Sequence, residues 1–141
     1  MCGIMGHEGN IPEQSQQMLK SILHRGPDYH STWHDDEITL GHTLLSIRGD
    51  KQQSQQPVSK PHSPWHLSFN GQIYNIAHVR KQLPSSFSKE ELDTTLLFGL
   101  VEKYGWDFIT HIEGMFAIAL YNSKEKELRL YRDPSGQKNI Y

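Results

Sequence analysis

Cysteine is almost absent from the chain, whose 141 residues include a single one, Cys2. One cysteine cannot close an internal disulfide, and this usage is typical of a reducing compartment, so we expect a cytoplasmic location. Long apolar runs are also missing, since none approaches the roughly 18–20 residues that a membrane-spanning helix requires. The N-terminus has no basic segment followed by an apolar one, so the sequence predicts neither a signal peptide nor a membrane partner.

A strong excess of either charge is missing too. The 14 Lys and Arg residues nearly balance the 16 Asp and Glu residues, the net charge is -2, and no basic patch is visible. This balance argues against nucleic acid as a partner. The nine histidines are not spaced as a metal-binding pair on one helix, and no second cysteine accompanies them. We therefore predict surface or packing roles for the histidines and no metal site.

Apolar residues follow two different periods along the chain. Alternation or a short apolar run predicts strands at residues 2–7, 65–69, 114–120 and 127–132, and one long or two short strands in 37–49. A period near 3.6 predicts helices that begin at Pro12, span about 76–83 and run through 92–104. Residues 51–64, rich in Gln, Ser and Pro, are predicted to form an exposed loop. The order of these elements predicts one α+β domain with helices covering layered antiparallel sheet.

Two local features leave alternatives open. The helix through 92–104 begins either with a capping box of Ser88 and Glu91 or with Asp93 as its N-cap. The dipeptide Asn70-Gly71 ends a predicted strand, and taken alone it favours a turn. The same two residues could instead supply an amide and a backbone N–H to an oxyanion hole.

Cys2 stands next to the start methionine, and its position is chemically suggestive. Removal of Met1 would place a free α-amine beside the thiol, where the amine could act as a general base. Most single cysteines are nevertheless small buried hydrophobic residues. The segment RDPSGQK, residues 132–138, is predicted to be a turn with solvated charges and a positive φ at Gly136.

The motifs together resemble one family. MCGI, LHRGPD, LGHTLLSI, QPV, FNGQIYN, DTTLL, EKYG, GMFAIALY and RDPSGQKNIY follow one another in the order seen in class II glutamine amidotransferase domains of glutamine-dependent asparagine synthetases. The resemblance covers essentially residues 1–141 and implies the N-terminal-nucleophile hydrolase fold, an αββα sandwich with two antiparallel sheets. The usual domain continues for several tens of residues beyond the position of Tyr141 and is followed by a synthetase domain. We therefore expect either a natural minimal, C-terminally short version or a fragment.

The resemblance also implies a reaction. Cys2 would attack the side-chain amide of L-glutamine, Asn70 and Gly71 would form the oxyanion hole, and Arg25 would organise the surroundings of the nucleophile. Asp93 would hold the α-amino group of the substrate. The ammonia would pass to a synthetase domain or subunit. No cofactor is expected in this domain, because ATP and magnesium would belong to the synthetase.

Two departures from the family pattern concern substrate binding. The family's R-L-S-I reads Leu44-Leu45-Ser46-Ile47 here, so the arginine that clamps the α-carboxylate is replaced by leucine. Arg48 lies four residues further on, and the period of a strand would place it on the same face as Leu44, so it is a candidate replacement. Leu45, Ile47 and Gln72 are the other expected substrate contacts, with Gln72 standing where the family has glutamate.

These departures keep two further hypotheses open beside the glutaminase. The chain could be a non-catalytic homologue that acts as a binding or regulatory module. It could also be an amidohydrolase that acts on a different amide.

Overall fold

The computed structural model describes residues 2–46, 54–87 and 92–141. The elements within them are β1 (Gly3–Glu8), α1 (Pro12–Ile22), β2 (Tyr29–His34), β3 (Ile38–Leu44), β4 (Val58–Ser59), β5 (Trp65–Ile73), α2 (Ile76–Gln82), α3 (Asp93–Tyr104), β6 (Gly114–Asn122) and β7 (Glu127–Arg132). Two 3-10 helices, Leu23–Arg25 and Gly105–His111, follow α1 and α3. No helix in these ranges is long and apolar enough to span a membrane.

The strands form two antiparallel sheets that face each other. The first sheet has the order β1-β3-β2 and the second the order β4-β5-β6-β7. Strands β1 and β3 contact β5 across the space between the sheets, α1 packs on β1 and β3, and α3 packs on β5. The layers are therefore helix, sheet, sheet and helix, which confirms the predicted α+β sandwich.

The main core lies between the second sheet and its helices. Apolar residues at odd positions of β5 and even positions of β6 face α3, because paired residues share a face of the sheet. The helix contributes an apolar stripe whose central residues are fully buried. That stripe consists of Leu96, Leu97, Leu100 and Val101, as the 3.6-residue period predicted. The inner faces of the two sheets meet over a much smaller apolar cluster around Leu40 and Tyr121.

Helix α1 begins and ends where the sequence indicated. Pro12 occupies its first turn, where a missing N–H costs nothing, and the α-helix ends at Ile22. A 3-10 turn then leads into Gly26, whose hydrogen atom faces the backbone of β3. A Cβ at this position would collide with the carbonyl group of Thr43, so only glycine lets the loop lie against the strand.

Helix α3 begins at Asp93 itself. Its N-cap is Leu92, and Asp93 is the first helical residue, so Asp93 as the N-cap was wrong. The Asp93 carboxylate accepts a hydrogen bond from the Ile73 N–H instead of capping its own helix. Ser88 and Glu91 lie outside the described residues.

The sequence patterns missed strand β2 and the burial of part of the polar loop. Strand β2 reads YHSTWH, which has too few apolar residues to stand out, and it forms because β3 pairs with it along its whole length. Within residues 51–64, Ser54 and Gln56 are buried, so the prediction of an exposed loop was wrong for both. The side-chain amide of the buried Gln56 forms hydrogen bonds with the backbone of Phe69.

Two histidines lie in the layer between the sheets, in packing positions. His42 is fully buried, and neither of its ring nitrogens has a hydrogen-bond partner among the described residues. Burial lowers the pKa of His42 to about 4, although the nearby Phe69 carbonyl opposes the shift. His66 stacks on Trp33 at 3.5 Å, and burial lowers its pKa to about 4 against the attraction of Asp35. Both imidazoles are therefore neutral at neutral pH.

Candidate functional site

A cleft of about 410 Å³ opens at one end of the space between the sheets. Its walls come from the residue before β1, the end of β3, the second half of β5 and the start of α3. Most of the site residues predicted from the sequence line it, namely Cys2, Leu45, Asn70, Gly71, Gln72 and Asp93. Ile47 and Arg48 lie outside the described residues.

Cys2 immediately precedes β1 and is half-buried in the cleft. Its Sγ lies 4.0 Å from the carbonyl oxygen of Leu45, which follows β3. Arg25 does not line the cleft, but its Nε donates a hydrogen bond to the Cys2 carbonyl at 3.3 Å. The loop that carries Arg25 therefore holds the backbone of Cys2.

The HRGPD loop is itself fastened to the end of β3. The Asp28 N–H donates to the Leu44 carbonyl at 3.0 Å, and an Asp28 carboxylate oxygen accepts from the Ser46 N–H at 2.8 Å. These contacts explain why the loop needs an acidic residue, and the close approach of Gly26 to Thr43 explains why it needs a glycine. They also set the position of Leu44, which is buried and lines the cleft.

Asn70 and Gly71 lie inside strand β5, so the turn that the dipeptide favours in isolation was wrong. Asn70 is paired with Ala117 and Gly71 with Phe116 in the ladder with β6. The Asn70 side chain is largely buried and lines the cleft from the sheet opposite Cys2. A Cβ on Gly71 would collide with the Met115 carbonyl and crowd Phe116, so this register requires glycine.

Asp93 closes the cleft on the side of the helices. Its Oδ2 accepts from the Ile73 N–H at 2.9 Å, which fixes the carboxylate beside β5. Its other carboxylate oxygen has no hydrogen-bond partner among residues 2–46, 54–87 and 92–141. A carboxylate oxygen in this position could accept a hydrogen bond from an ammonium group of a bound molecule.

The segment 132–138 lies against the same cleft, and its charges are not all solvated as predicted. Gly136 has the expected positive φ of 64°, but Asp133 is only 2% exposed and Lys138 lines the cleft. Burial alone would raise the pKa of Asp133, but the N–H groups of Gln137, Lys138 and Phe116 outweigh it and hold this pKa below its usual value. Asp133 thus ties the loop to β6. The aspartate-proline pair before a glycine was the available signal for such a backbone-binding turn.

Gln56, the first residue of the QPV motif, is a cleft residue to which the sequence assigned no role at the site. It lines the cleft and is only 4% exposed, although it belongs to a polar segment. The QPV motif was the signal that could have identified it. For metals, the described part of the chain contains no group of three His, Cys, Asp or Glu side chains positioned to hold an ion.

Comparison with known proteins gives consistent matches. The family model of the glutamine amidotransferase domain matches residues 1–141. Asparagine synthetase [glutamine-hydrolyzing] 1 of Bacillus subtilis is 32% identical over 152 residues, covering 100% of this chain and 24% of the relative. Amidase chry2 of Gibberella zeae is 31% identical over 139 residues, covering 96% of this chain and 21% of the relative. The chain thus spans about a quarter of the length of these relatives.

A solved structure shows the same fold. Glutamine phosphoribosylpyrophosphate amidotransferase of B. subtilis superposes with a TM-score of 0.70 at 20% identity, covering 96% of this chain and 37% of that chain. The layered sheets, the match along the full sequence and the similarity to the synthetases agree with one another. The chain belongs to the glutamine amidotransferase domain family.

Proposed function

We propose that the cleft hydrolyses the side-chain amide of glutamine, with Cys2 as the nucleophile and Asn70 and Gly71 as the oxyanion donors. One observation carries the proposal: Cys2 immediately precedes a strand of the first sheet, Asn70-Gly71 lie in a strand of the second, and all three residues line the same cleft. A thiol and two hydrogen-bond donors in one cleft are the groups that acyl transfer requires. The family to which the chain belongs supports glutamine as the amide.

The proposed reaction runs through a thioester. The Cys2 Sγ attacks the amide carbon, and the Cys2 α-amine, free once Met1 is removed, takes the thiol proton and passes it to the departing nitrogen. The carbonyl oxygen becomes negatively charged and is stabilised by the Asn70 amide and the Gly71 N–H. Loss of one such donor typically costs about 2.7–4 kcal/mol of transition-state stabilisation. The carbon–nitrogen bond breaks, ammonia leaves, and water then cleaves the thioester to release glutamate and restore the thiol.

Substrate binding is proposed to use both charged ends of glutamine. The second carboxylate oxygen of Asp93 would accept from the α-amino group, with Gln72 beside it, and Leu45 and Ile47 would contact the chain of the substrate. Leu44 occupies the place of the family arginine and cannot pair with a carboxylate. Arg48 remains our candidate for the α-carboxylate.

The fate of the ammonia is proposed from the relatives. The B. subtilis match is named a glutamine-hydrolysing asparagine synthetase, of which this chain covers 24%. We propose that a synthetase domain or subunit receives the ammonia, and that the reaction takes place in the cytoplasm. The single cysteine, which suits a reducing compartment, supports that location.

Hydrolysis of a different amide is the second candidate. It is favoured by the apolar side chain of Leu44, which is only 4% exposed and stands at the expected carboxylate position. Two of the similar proteins are named amidases, from Gibberella zeae and Penicillium rubens. An amide without an α-carboxylate would suit an apolar wall better than glutamine would.

A turnover assay tests both candidates. Intact mass first establishes that Met1 is removed, and glutamine and a simple primary amide without the amino-acid group are then offered to wild type and to Cys2→Ala. We expect wild type to release glutamate and ammonia, and Cys2→Ala to fold normally but show only the background rate. Equal rates from the two proteins would contradict hydrolysis. Turnover of the simple amide alone would favour the second candidate.

A further inference from the structure

The side chain of Gln56 binds one residue of strand β5 through both ends of its amide. Its Nε2 donates to the Phe69 carbonyl at 3.0 Å, and its Oε1 accepts from the Phe69 N–H at 2.6 Å. The Gln56 carbonyl in turn accepts from the Ser31 hydroxyl on β2. Gln56 is therefore fastened to both sheets, at the residue that immediately precedes Asn70.

The reason for this arrangement lies in how β4 ends. Strand β4 pairs with β5 only at Val58 and Ser59, and Pro57, which precedes them, has no N–H with which to continue the ladder. Strand β5 nevertheless runs on to Ile73. A carboxamide has the same donor and acceptor as a peptide group, so the Gln56 side chain supplies at Phe69 the pairing that the backbone of β4 cannot.

The same edge of β5 also carries the Gly71 N–H. In an antiparallel strand, backbone groups point to alternate sides, so residues 69, 71 and 73 direct theirs to the same edge. The Phe69 N–H donates to Gln56 and the Ile73 N–H donates to Asp93, both on the edge away from β6. The Gly71 N–H lies between these two fastened positions on that edge, and Gly71 itself lines the cleft.

We propose that Gln56 is a positioning residue that aims the oxyanion donors. The inference rests on the proposed function of the cleft. The Phe69 carbonyl and the Asn70 N–H belong to one planar peptide unit, so the hydrogen bond to Phe69 fixes the plane from which the Asn70 side chain projects. Gln56 and Asp93 hold the edge of β5 on either side of Gly71, so without Gln56 both donors would lose their direction.

Steady-state kinetics of Gln56→Leu in the full chain tests the role. We expect kcat to fall at least about tenfold, because misaligned donors stabilise the oxyanion less. We expect KM for glutamine to stay within about threefold, because Asp93 and the other proposed binding groups remain in place. The matched control is Asn122→Ala, which removes a buried amide that accepts from the Lys124 and Glu125 N–H groups at the far end of the same sheet. This control should lower stability without lowering kcat.

A second variant, Gln56→Glu, separates positioning from loss of stability. An ionised glutamate can still accept from the Phe69 N–H but has no donor for the Phe69 carbonyl, whereas the protonated acid restores that donor. We expect the ratio of its kcat to that of wild type to rise as the pH falls. Cys2, Asp93 and Lys138 in the same cleft, and His42 near the Phe69 carbonyl, also titrate or carry charge. Because these groups are present in both Gln56→Glu and wild type, their effect on the pH dependence of kcat cancels in the ratio of the two kcat values.

The outcomes distinguish the inference from the function on which it rests. A tenfold loss of kcat in Gln56→Leu, absent from Asn122→Ala and reversed at low pH in Gln56→Glu, supports the positioning role. An active wild type whose two Gln56 variants keep its kcat at every pH overturns the inference alone. An equal loss in Asn122→Ala also overturns it. A wild type no faster than Cys2→Ala overturns the proposed function, and the positioning role with it.

Discussion

Acid should unfold this domain in a pH range where most carboxylates are still ionised. His42 and His66 each have a folded-state pKa of about 4 against an ordinary value of 6.5, because burial disfavours the imidazolium. Between these values the unfolded chain binds more protons than the folded one. The folded state is therefore fully stable with respect to these two histidines above pH 6.5, and this stability is lost as the pH falls towards 4. Linkage gives a loss of about 1.8 kcal/mol per histidine between pH 7 and pH 5.

Urea unfolding at these two pH values, followed by the fluorescence of the three tryptophans, measures the effect. Wild type should lose about 3.6 kcal/mol, and His42→Leu should lose about half as much, since one buried imidazole remains. The pKa values of Asp35 and Asp133 are lowered from 3.8, so these carboxylates do not add to the loss of stability between pH 7 and pH 5. His78, exposed on α2, is the matched control, and His78→Gln should keep the wild-type pH dependence. A full wild-type loss in His42→Leu would refute the reasoning.

Two substitutions test the packing around the cleft. Gly71→Ala should destabilise the domain by about 2 kcal/mol or more in urea unfolding, because its Cβ would collide with the Met115 carbonyl. The control is Gly9→Ala, where a Cβ has open space but φ is 72°, and it should cost about 1 kcal/mol. Equal costs in the two variants would contradict the collision. Asp133→Asn should lower the melting temperature at neutral pH, because it removes the anion that accepts from three backbone N–H groups. The difference in melting temperature from wild type should shrink as the pH falls below 3.8. An unchanged melting curve would show that the loop does not depend on this carboxylate.

The local residue pattern predicted correctly those helices and strands whose signals lie within their own sequence or next to it. Pro12 favours the start of helix α1, and the glycine and proline of HRGPD prevent the helix from continuing, so both of its limits have local signals. Strands β6 and β7 carry their own apolar content and a short turn. The motif order predicted the family, and the match over residues 1–141 confirms it.

Pairing partners decided the remaining elements. Strand β2 has little apolar content and exists because β3 presents a full ladder to it. Asn70-Gly71 would favour a turn in a short peptide, but nine residues of β5 pair with β6, and that ladder overrides the preference of two residues. Asp93 could have capped its own helix, yet its carboxylate binds Ile73, which lies 20 residues earlier.

The sequence by itself therefore determined the family, the α+β class and the identity of the candidate nucleophile, because these depend on residue types in order along the chain. Only the tertiary structure decided that Gln56 lies beside Phe69, that Asp93 fastens the strand instead of its helix, and that Asn70 faces the cleft which Cys2 lines. The physical reason is that buried backbone groups must find hydrogen-bond partners, and the partner is chosen by distance in space. Gln56 and Phe69 are 13 residues apart, beyond the reach of any local pattern.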